Sequence, residues 1–217
     1  MTSFEYAGRD MIGHVNCNLS DTYKRGWTWD DDLTNTLRRV ITPLDVVLEC
    51  DAHIGCHTLL LSPYVKKIYA VESYNETYNM LVHNTSDLKN VVPINSALSS
   101  ENKETEIKLI SRIDPKGYGV IDDLHGVNIT ADKPHTIITD TLESLTSRLS
   151  EPITVIKITN NAYNIIRTSE EYIKKHRPTF IIKNGYYEAL IGSFFVNTMG
   201  NYESTSYNRY WTVYVSN

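Results

Sequence analysis

The sequence predicts an α/β fold in which a mostly parallel sheet carries helices on both faces and ends in an antiparallel strand at its C-terminal edge. Three observations carry this reading. Short, continuous, β-branched runs recur at DVVLEC (45–50), KIYAVE (67–72), VVPINSAL (91–98), ITVIKIT (153–159) and TFIIKN (179–184), and such runs mark strands buried on both faces rather than half-exposed hairpins. Stretches of helical period lie among them, YNETYNMLVHNTSDL (74–88) and NIIRTSEEYIKKH (164–176), so strand and helix alternate as in βαβ units with right-handed crossovers. The chain closes on the aromatic, β-branched RYWTVYVSN, reached through the polar stretch NYESTSYN, which reads as a loop.

From the N-terminus, the first 44 residues read as a helical segment whose clearest part is WDDDLTNTLRRVI (29–41). Asp30, Asp31 and Asp32 either cap that helix, where carboxylates meet exposed amides and the positive end of the dipole, or place one carboxylate in a ligand crevice. The helix at 164–176 brings Ile165, Ile166, Tyr172 and Ile173 toward one face and stops at His-Arg-Pro. Two further strands are expected at 104–112 (ETEIKLISR) and 135–139 (HTIIT). The Gly-, Pro- and Asp-bearing connection at 113–134 is long enough to be read as a lid loop.

The 217 residues, 41% hydrophobic and 22% charged, suit one domain spanning 1–217, with residues 45–100 as its ligand-binding half. A formal charge of -5 without a dense Lys/Arg run argues against a nucleic-acid partner. No apolar stretch reaches the roughly 18 residues of a membrane span, and the start of the chain lacks a basic and apolar leader. Three cysteines, an odd number, fit a reducing compartment, so a cytoplasmic location is expected. The oligomeric state is not encoded in any pattern here.

Ligands of open α/β sheets bind beyond the carboxyl ends of the strands, where strand order reverses. The first strand-to-helix turn is Glu49-Cys50-Asp51-Ala52-His53-Ile54-Gly55, a carboxylate, a tight turn and a glycine opening the next helix. The second strand ends at Glu72, followed by Ser73 and 23 positions after Glu49, near the spacing at which an acidic residue accepts ribose hydroxyls. The third ends at Asn95-Ser96-Ala97, small polar residues suited to an adenine edge or needing no ligand at all.

The stretch VVLECDAHIGCHTLLLSPYVKKIYAVESYNETYNMLVHN resembles the cofactor half of FkbM-type methyltransferases, whose pattern runs roughly VxDVGANIGxxTLxLA and then VxAFEPxPxxxxxLxxN. VVPINSALSS, DTLESL, ITVIKIT and HRPTFIIKN follow in the family's order, so the resemblance covers about residues 45–184. It implies a Rossmann-like, class I methyltransferase-like fold and S-adenosylmethionine as cofactor. It also implies methyl transfer to an oxygen, often a sugar or natural-product hydroxyl, so a small-molecule or glycan acceptor is expected. By resemblance Glu49 binds the methionine amino group, Asp51, Ala52, His53 and Gly55 form the turn around the cofactor, Glu72 and Ser73 hold the ribose, and Ser96 and Ala97 border the adenine.

The sequence departs from the family at several of these positions. Asp51 stands where the family has glycine and His53 where it has asparagine; a positive φ at Asp51 would be strained, though Asp tolerates that region better than most residues. The family's KIDVEG is Lys157-Ile158-Thr159-Asn160-Asn161-Ala162 here, and the Glu after HRPxxxI is Lys183. Hard cations need charged oxygen ligands, so no metal is expected. Lys157, Thr159, Asn160 and Lys183 become candidate acceptor contacts. The general base is sought at His125, Asp122 or Asp123 in the long loop, at His135, at Asp140, or at Asp30 to Asp32. Two other readings compete: a binding module that has lost its catalytic carboxylates, and an NAD-type oxidoreductase, which the missing GxGxxG disfavours.

Overall fold

A computed structural model describes residues 1–14, 18–26, 31–107, 120–121, 124–125, 135–208 and 210–217. The central sheet has seven strands in the order β13-β14-β12-β11-β3-β4-β5, where β3 is Val46–Cys50, β4 Lys67–Glu72, β5 Val91–Asn95, β11 Val155–Ile158, β12 Thr179–Lys183, β13 Tyr202–Asn208 and β14 Trp211–Ser216. The pairs among β5, β4, β3, β11 and β12 are parallel, while β14 runs antiparallel to β12 and to β13. From β3 the chain steps outward to β4 and β5, then returns to lay β11 on the other side of β3. Strand order therefore reverses between β3 and β11, and their carboxyl ends frame the crevice that such sheets use for ligands.

Period-two alternation sends each strand's side chains to two separate cores. Val46, Leu48, Cys50, Tyr69, Val71, Ile156, Ile158, Phe180, Ile182 and Tyr214 meet one layer of helices: α5 (Leu142–Ser147), α6 (Ala162–Thr168), α7 (Glu170–His176) and α8 (Glu188–Ser193). Val47, Ile68, Ala70, Val155, Ile181, Trp211 and Val213 meet the other, made with Leu33, Leu37 and Ile41, Leu61 and Leu81. These come from α2 (Asp31–Val40) and the residue after it, α3 (Cys56–Leu61) and α4 (Asn75–Asn84). Both faces are covered, which explains why the strands read as unbroken apolar runs.

Several elements differ from the sequence reading. The helical N-terminal segment begins instead with a hairpin, β1 (Thr2–Tyr6) and β2 (Arg9–Gly13), before α1 (Asn18–Lys24) and α2. Its two-residue turn places Ala7 at φ 51 and Gly8 at φ 75, the left-handed pair that matches strand twist but is rarely signalled by an alanine. The run at 91–98 breaks: β5 lies at the edge of the sheet, where Pro93 costs no pairing, and after Asn95 the chain swings away so that β6 (Ala97–Leu98) joins β10 (His135–Asp140) and β7 (Lys103–Ile107) in a second sheet. The helix expected at 164–176 is two helices meeting at buried Ser169, which ends α6 and starts α7 while the four apolar residues remain buried. Arg177, at φ 45 before Pro178, ends α7.

At the C-terminus the antiparallel edge is a hairpin rather than one strand. The polar residues read as a loop form β13, and β14 lies inside the sheet. An edge strand pairs on one side only and tolerates the polar composition that hid it. Of the connection at 113–134, the described residues are β8 (Val120–Ile121) and β9 (Leu124–His125), paired antiparallel; the rest lies outside them. Among the described residues no helix is long and apolar enough to cross a membrane.

Candidate functional site

The turn after β3 is wound left-handed at every second residue: Asp51 at φ 57, His53 at φ 53 and Gly55 at φ 91. Gly55 is required there twice over, since a Cβ would lie 2.8 Å from Leu81 Cδ1 and 3.2 Å from Thr85 Cγ2 of the neighbouring α4 region. Glycine at this point lets α4 close against the turn. The Ala52 amide donates to the Val71 carbonyl (2.9 Å), tying the turn to the end of β4.

Glu72, 6% exposed at the end of β4, reaches back to the same turn. Its Oε2 accepts the His53 amide and its Oε1 the Tyr74 amide, each at 3.0 Å, and the Ser73 amide adds a third contact. Burial, reinforced by the charge of Asp51, outweighs these donors and pushes the Glu72 carboxyl up to about 7. Asn95, at the end of β5, donates from Nδ2 to the carbonyls of Glu72 (2.9 Å) and Ser73 (3.2 Å). Asn160, beyond β11, donates to Asp51 Oδ2 (3.0 Å) and so bridges the reversal point. The expected residues Asp51, Ala52, His53, Gly55, Glu72 and Ser73 are thus brought together at the carboxyl end of the sheet.

Glu49 is not among them. It is 0% exposed, and its carboxylate is taken by Lys157 Nζ on Oε1 (3.1 Å) and by Thr58 Oγ1 on Oε2 (2.7 Å). Lys157 sits opposite Glu49 in the parallel register and is 2% exposed. A carboxylate at this depth needs its counter-ion, so neither the methionine-amino role for Glu49 nor the acceptor role for Lys157 fits. Both are part of the buried frame beneath the turn.

Ser96 and Asp140 form another closed set. Ser96 Oγ donates to Asp140 Oδ2 (2.7 Å), Arg148 Nη2 donates to the same oxygen (2.6 Å) and Ser144 Oγ to Oδ1 (3.3 Å). Burial works against ionisation of Asp140, but Arg148 and the two hydroxyls prevail and hold the carboxyl below its usual range. A carboxylate so stabilised is a poor proton acceptor, which removes the reason for choosing it as base. Ala97 is drawn into the second sheet opposite Thr139, and both Ser96 and Ala97 are buried. The Ser96 hydroxyl is therefore committed within the protein rather than presented to an adenine.

The remaining candidates divide by position. Thr159 and Asn160 lie half-buried beyond β11, and Lys183 lies half-buried at the end of β12 opposite Trp211. Asp30, Asp122 and Asp123 fall outside the described residues, as do the side chains of Asp31, Asp32, His125 and His135.

One histidine the sequence did not single out joins the site. His14, just past β2, donates to or accepts from Thr77 Oγ1 (2.8 Å), and its ring lies 6.1 Å from that of His53 and 6.4 Å from Tyr74. No motif marks it, because a hairpin from outside the motif region carries it there. Burial, with His14 nearby, brings His53 down to about 3; burial, with the charges of Lys157 and Lys183, holds His57 well below its usual value. The Nε2 atoms of His53 and His57 are buried without a hydrogen-bond partner among the described residues. The site is thus lined by neutral imidazoles and two carboxylates, Asp51 and Glu72. Among the described residues no group of three or more His, Cys, Asp or Glu side chains is arranged to hold a metal ion.

No protein-family model and no curated protein matches the chain. Solved structures do. A methyltransferase FkbM from Methylobacillus flagellatus aligns with a TM-score of 0.55 at 11% identity over 80% of this chain and 44% of that one. A putative methyltransferase from Streptococcus mutans, in complex with S-adenosylhomocysteine, aligns with a TM-score of 0.51 at 11% identity over 85% and 96%. An rRNA methylase from Streptococcus thermophilus aligns with a TM-score of 0.50 at 12% identity over 85% and 93%. The chain thus spans less than half of the FkbM structure and nearly all of the other two. At these identities the likeness is one of fold, and that fold is the Rossmann-like class I methyltransferase fold expected from the sequence.

Proposed function

We propose that this chain binds S-adenosylmethionine across the carboxyl ends of β3, β4 and β5 and transfers its methyl group to a hydroxyl, with a sugar hydroxyl as the favoured acceptor. The observation that carries the reading is the junction of Glu72 with the left-handed turn Asp51–Gly55 at the reversal point of the sheet. A carboxylate already gripped by three backbone amides is fixed in place, and its remaining lone pairs suit the two hydroxyls of a ribose. The backbone of the turn and the first turn of α3 would enclose the methionine end, with Asp51 adding charge near the amino group. The S-adenosylhomocysteine complex of the Streptococcus mutans structure, which shares this fold, agrees in kind.

The cofactor supplies a methyl already activated by the sulfonium, so the chain's task is to align the acceptor oxygen. Thr159 and Asn160 stand at the strand end where an acceptor would approach, while Lys183 turns toward α3. Removal of the hydroxyl proton needs a base that binds a proton near pH 7. His53, His57 and Asp140 are all held well below that and are poor acceptors, which leaves Asp30 to Asp32, Asp122, Asp123, His125 and His135 as the candidates.

Calorimetry with S-adenosylhomocysteine tests the donor half of the reading. Binding should fall in the micromolar range, about -7 to -8 kcal/mol, and Glu72→Ala should weaken it by roughly 1–3 kcal/mol. Heat with NAD and none with S-adenosylhomocysteine would sink the proposal. Incubation with labelled S-adenosylmethionine and a panel of mono- and oligosaccharides tests the acceptor half, and transfer should survive EDTA. A second reading, a binding module, is favoured by the closure of Glu49 and Lys157 on each other and by the neutral Thr159 and Asn160. Cofactor binding without transfer to any acceptor class would establish it.

A further inference from the structure

Three tyrosines gather where β11 and β12 end. Tyr163 opens α6, three positions after Asn160, and packs against the core beneath that layer. Tyr187 comes from the connection after β12 and stacks on Tyr163 with ring centroids 5.5 Å apart and planes 21° from parallel. Tyr186 meets Tyr187 edge-on, at 5.3 Å and 84°, and is 96% exposed. The set runs from a core-anchored ring through a half-exposed one to a ring in water. An aromatic face held open in this way is wasted hydrophobic area unless something covers it.

The surroundings narrow what that is. Residues 159–166 carry no charge, and Glu188 is the only charged residue in 184–193. Lys183 belongs to the other face: β12 sends Phe180 and Ile182 toward the α5–α8 layer, so alternation turns Lys183 toward α3, where its charge acts on His57. One carboxylate, Glu188, and one cation, Arg167 a turn along α6 from Tyr163, are far from the cluster of Lys and Arg that phosphate binding requires. Aromatic faces, the amides of Asn161 and Asn164, which share one hydrogen bond (2.7 Å) and use only part of their capacity in it, and one carboxylate are instead the chemistry that recognises a neutral polyol, whose C–H face lies on a ring while its hydroxyls donate at the rim.

We propose that Tyr186 and the exposed part of Tyr187, backed by Tyr163, form a stacking platform that takes a neutral carbohydrate ring, the acceptor itself or the unit next to it in a chain. The proposal rests on the methyltransferase reading in one respect: the platform serves as an acceptor subsite because the crevice at Asp51 and Asn160 beside it holds the methyl donor. Stacking alone does not require the donor. The two can therefore fail separately.

The test is a titration of the intact chain with cellohexaose, maltohexaose and a rhamnose-containing oligosaccharide, followed by tyrosine and tryptophan fluorescence, with an oligouridylate as the polyanionic comparison. At least one saccharide should bind. Tyr186→Ala should weaken it about five- to tenfold, the contribution of one aromatic contact, while Tyr186→Phe stays close to the parent. S-adenosylhomocysteine binding should be the same in all three proteins. Failure of every saccharide to bind, or equal saccharide affinity in Tyr186→Ala, overturns the platform. Oligouridylate binding that depends on Tyr186 also overturns it, in favour of base stacking. If the parent chain binds a saccharide through Tyr186 but not S-adenosylhomocysteine, the platform stands and the methyltransferase reading falls.

Discussion

At the end of β4 each oxygen of Glu72 accepts a backbone amide inside a nearly closed pocket, and burial still lifts its carboxyl to about 7. In the unfolded chain the same group titrates near 4.5. Below about 4.5 both states hold the proton; between that pH and about 7 only the folded state does, so stability falls as pH rises through this window. The loss is on the order of 3 kcal/mol once both states are ionised. Glu72→Gln should remove this slope, leaving a variant more stable than the parent at pH 8 and close to it at pH 4.5, measured by urea unfolding across pH. S-adenosylhomocysteine affinity should weaken below about pH 7 in the parent and stay flat in the variant; a matching slope in both would mean that another group titrates. Glu49 and Lys157 behave differently, because their buried charges neutralise each other. Lys157→Met should cost about 3–5 kcal/mol by stranding the carboxylate, and adding Glu49→Gln should recover most of it. Additive losses in that double-mutant cycle would argue that the pair is not coupled.

At the scale of elements, Asn84 ties the N-terminal hairpin to the α/β core alongside the Arg9–Asp87 ion pair and the His14–Thr77 hydrogen bond. Asn84, buried at the end of α4, accepts the Ile12 amide (2.8 Å) and donates to the carbonyls of Ile12 (2.9 Å) and Ile54 (2.8 Å). It therefore joins β2, α4 and the turn before α3. Around it Tyr6, Met11, Tyr23, Ile54, Cys56, Leu59 and Met80 form a third apolar cluster that seals α3 and α4 from one side. This docking sets His14 beside His53. Asn84→Ala leaves the Ile12 and Ile54 groups unpaired and should cost about 2–3 kcal/mol. Hydrogen exchange should show the loss concentrated in amides of residues 2–13, with β3 and β11 still protected; uniform acceleration across the sheet would show that the hairpin is part of the global unit.

For the molecule as a whole, a sheet with two covered faces and an order that reverses between β3 and β11 places the candidate ligand groups at strand ends and in the turns beyond them and leaves the strand interiors to the core. A ligand binding only the folded chain should stabilise all of it together: S-adenosylhomocysteine at about 100 times its dissociation constant should add about 2.7 kcal/mol and raise the melting temperature by several degrees. No shift at saturation would contradict binding at the junction of β3 and β4. The sequence by itself determined the five parallel strands, helices α2 and α4, and the turn with Glu72, because continuous apolar runs and a spacing between strand ends are local properties that survive without neighbours. It did not disclose β1–β2, whose turn uses Ala7, or β13, whose polar residues look like a loop until a partner satisfies their backbone. Roles at the site divided along the same line. Asp51, His53, Gly55 and Glu72 follow one another closely enough along two neighbouring strands for their meeting to be read from the chain. Only the tertiary structure paired Glu49 with Lys157 (3.1 Å), closed Asp140 on Arg148 (2.6 Å) and brought His14 to His53 and Tyr187 to Tyr163. All but Asp140–Arg148, which spans eight positions across α5, join residues distant in sequence, and whether a polar group faces a ligand or a partner is decided by what the fold carries to it.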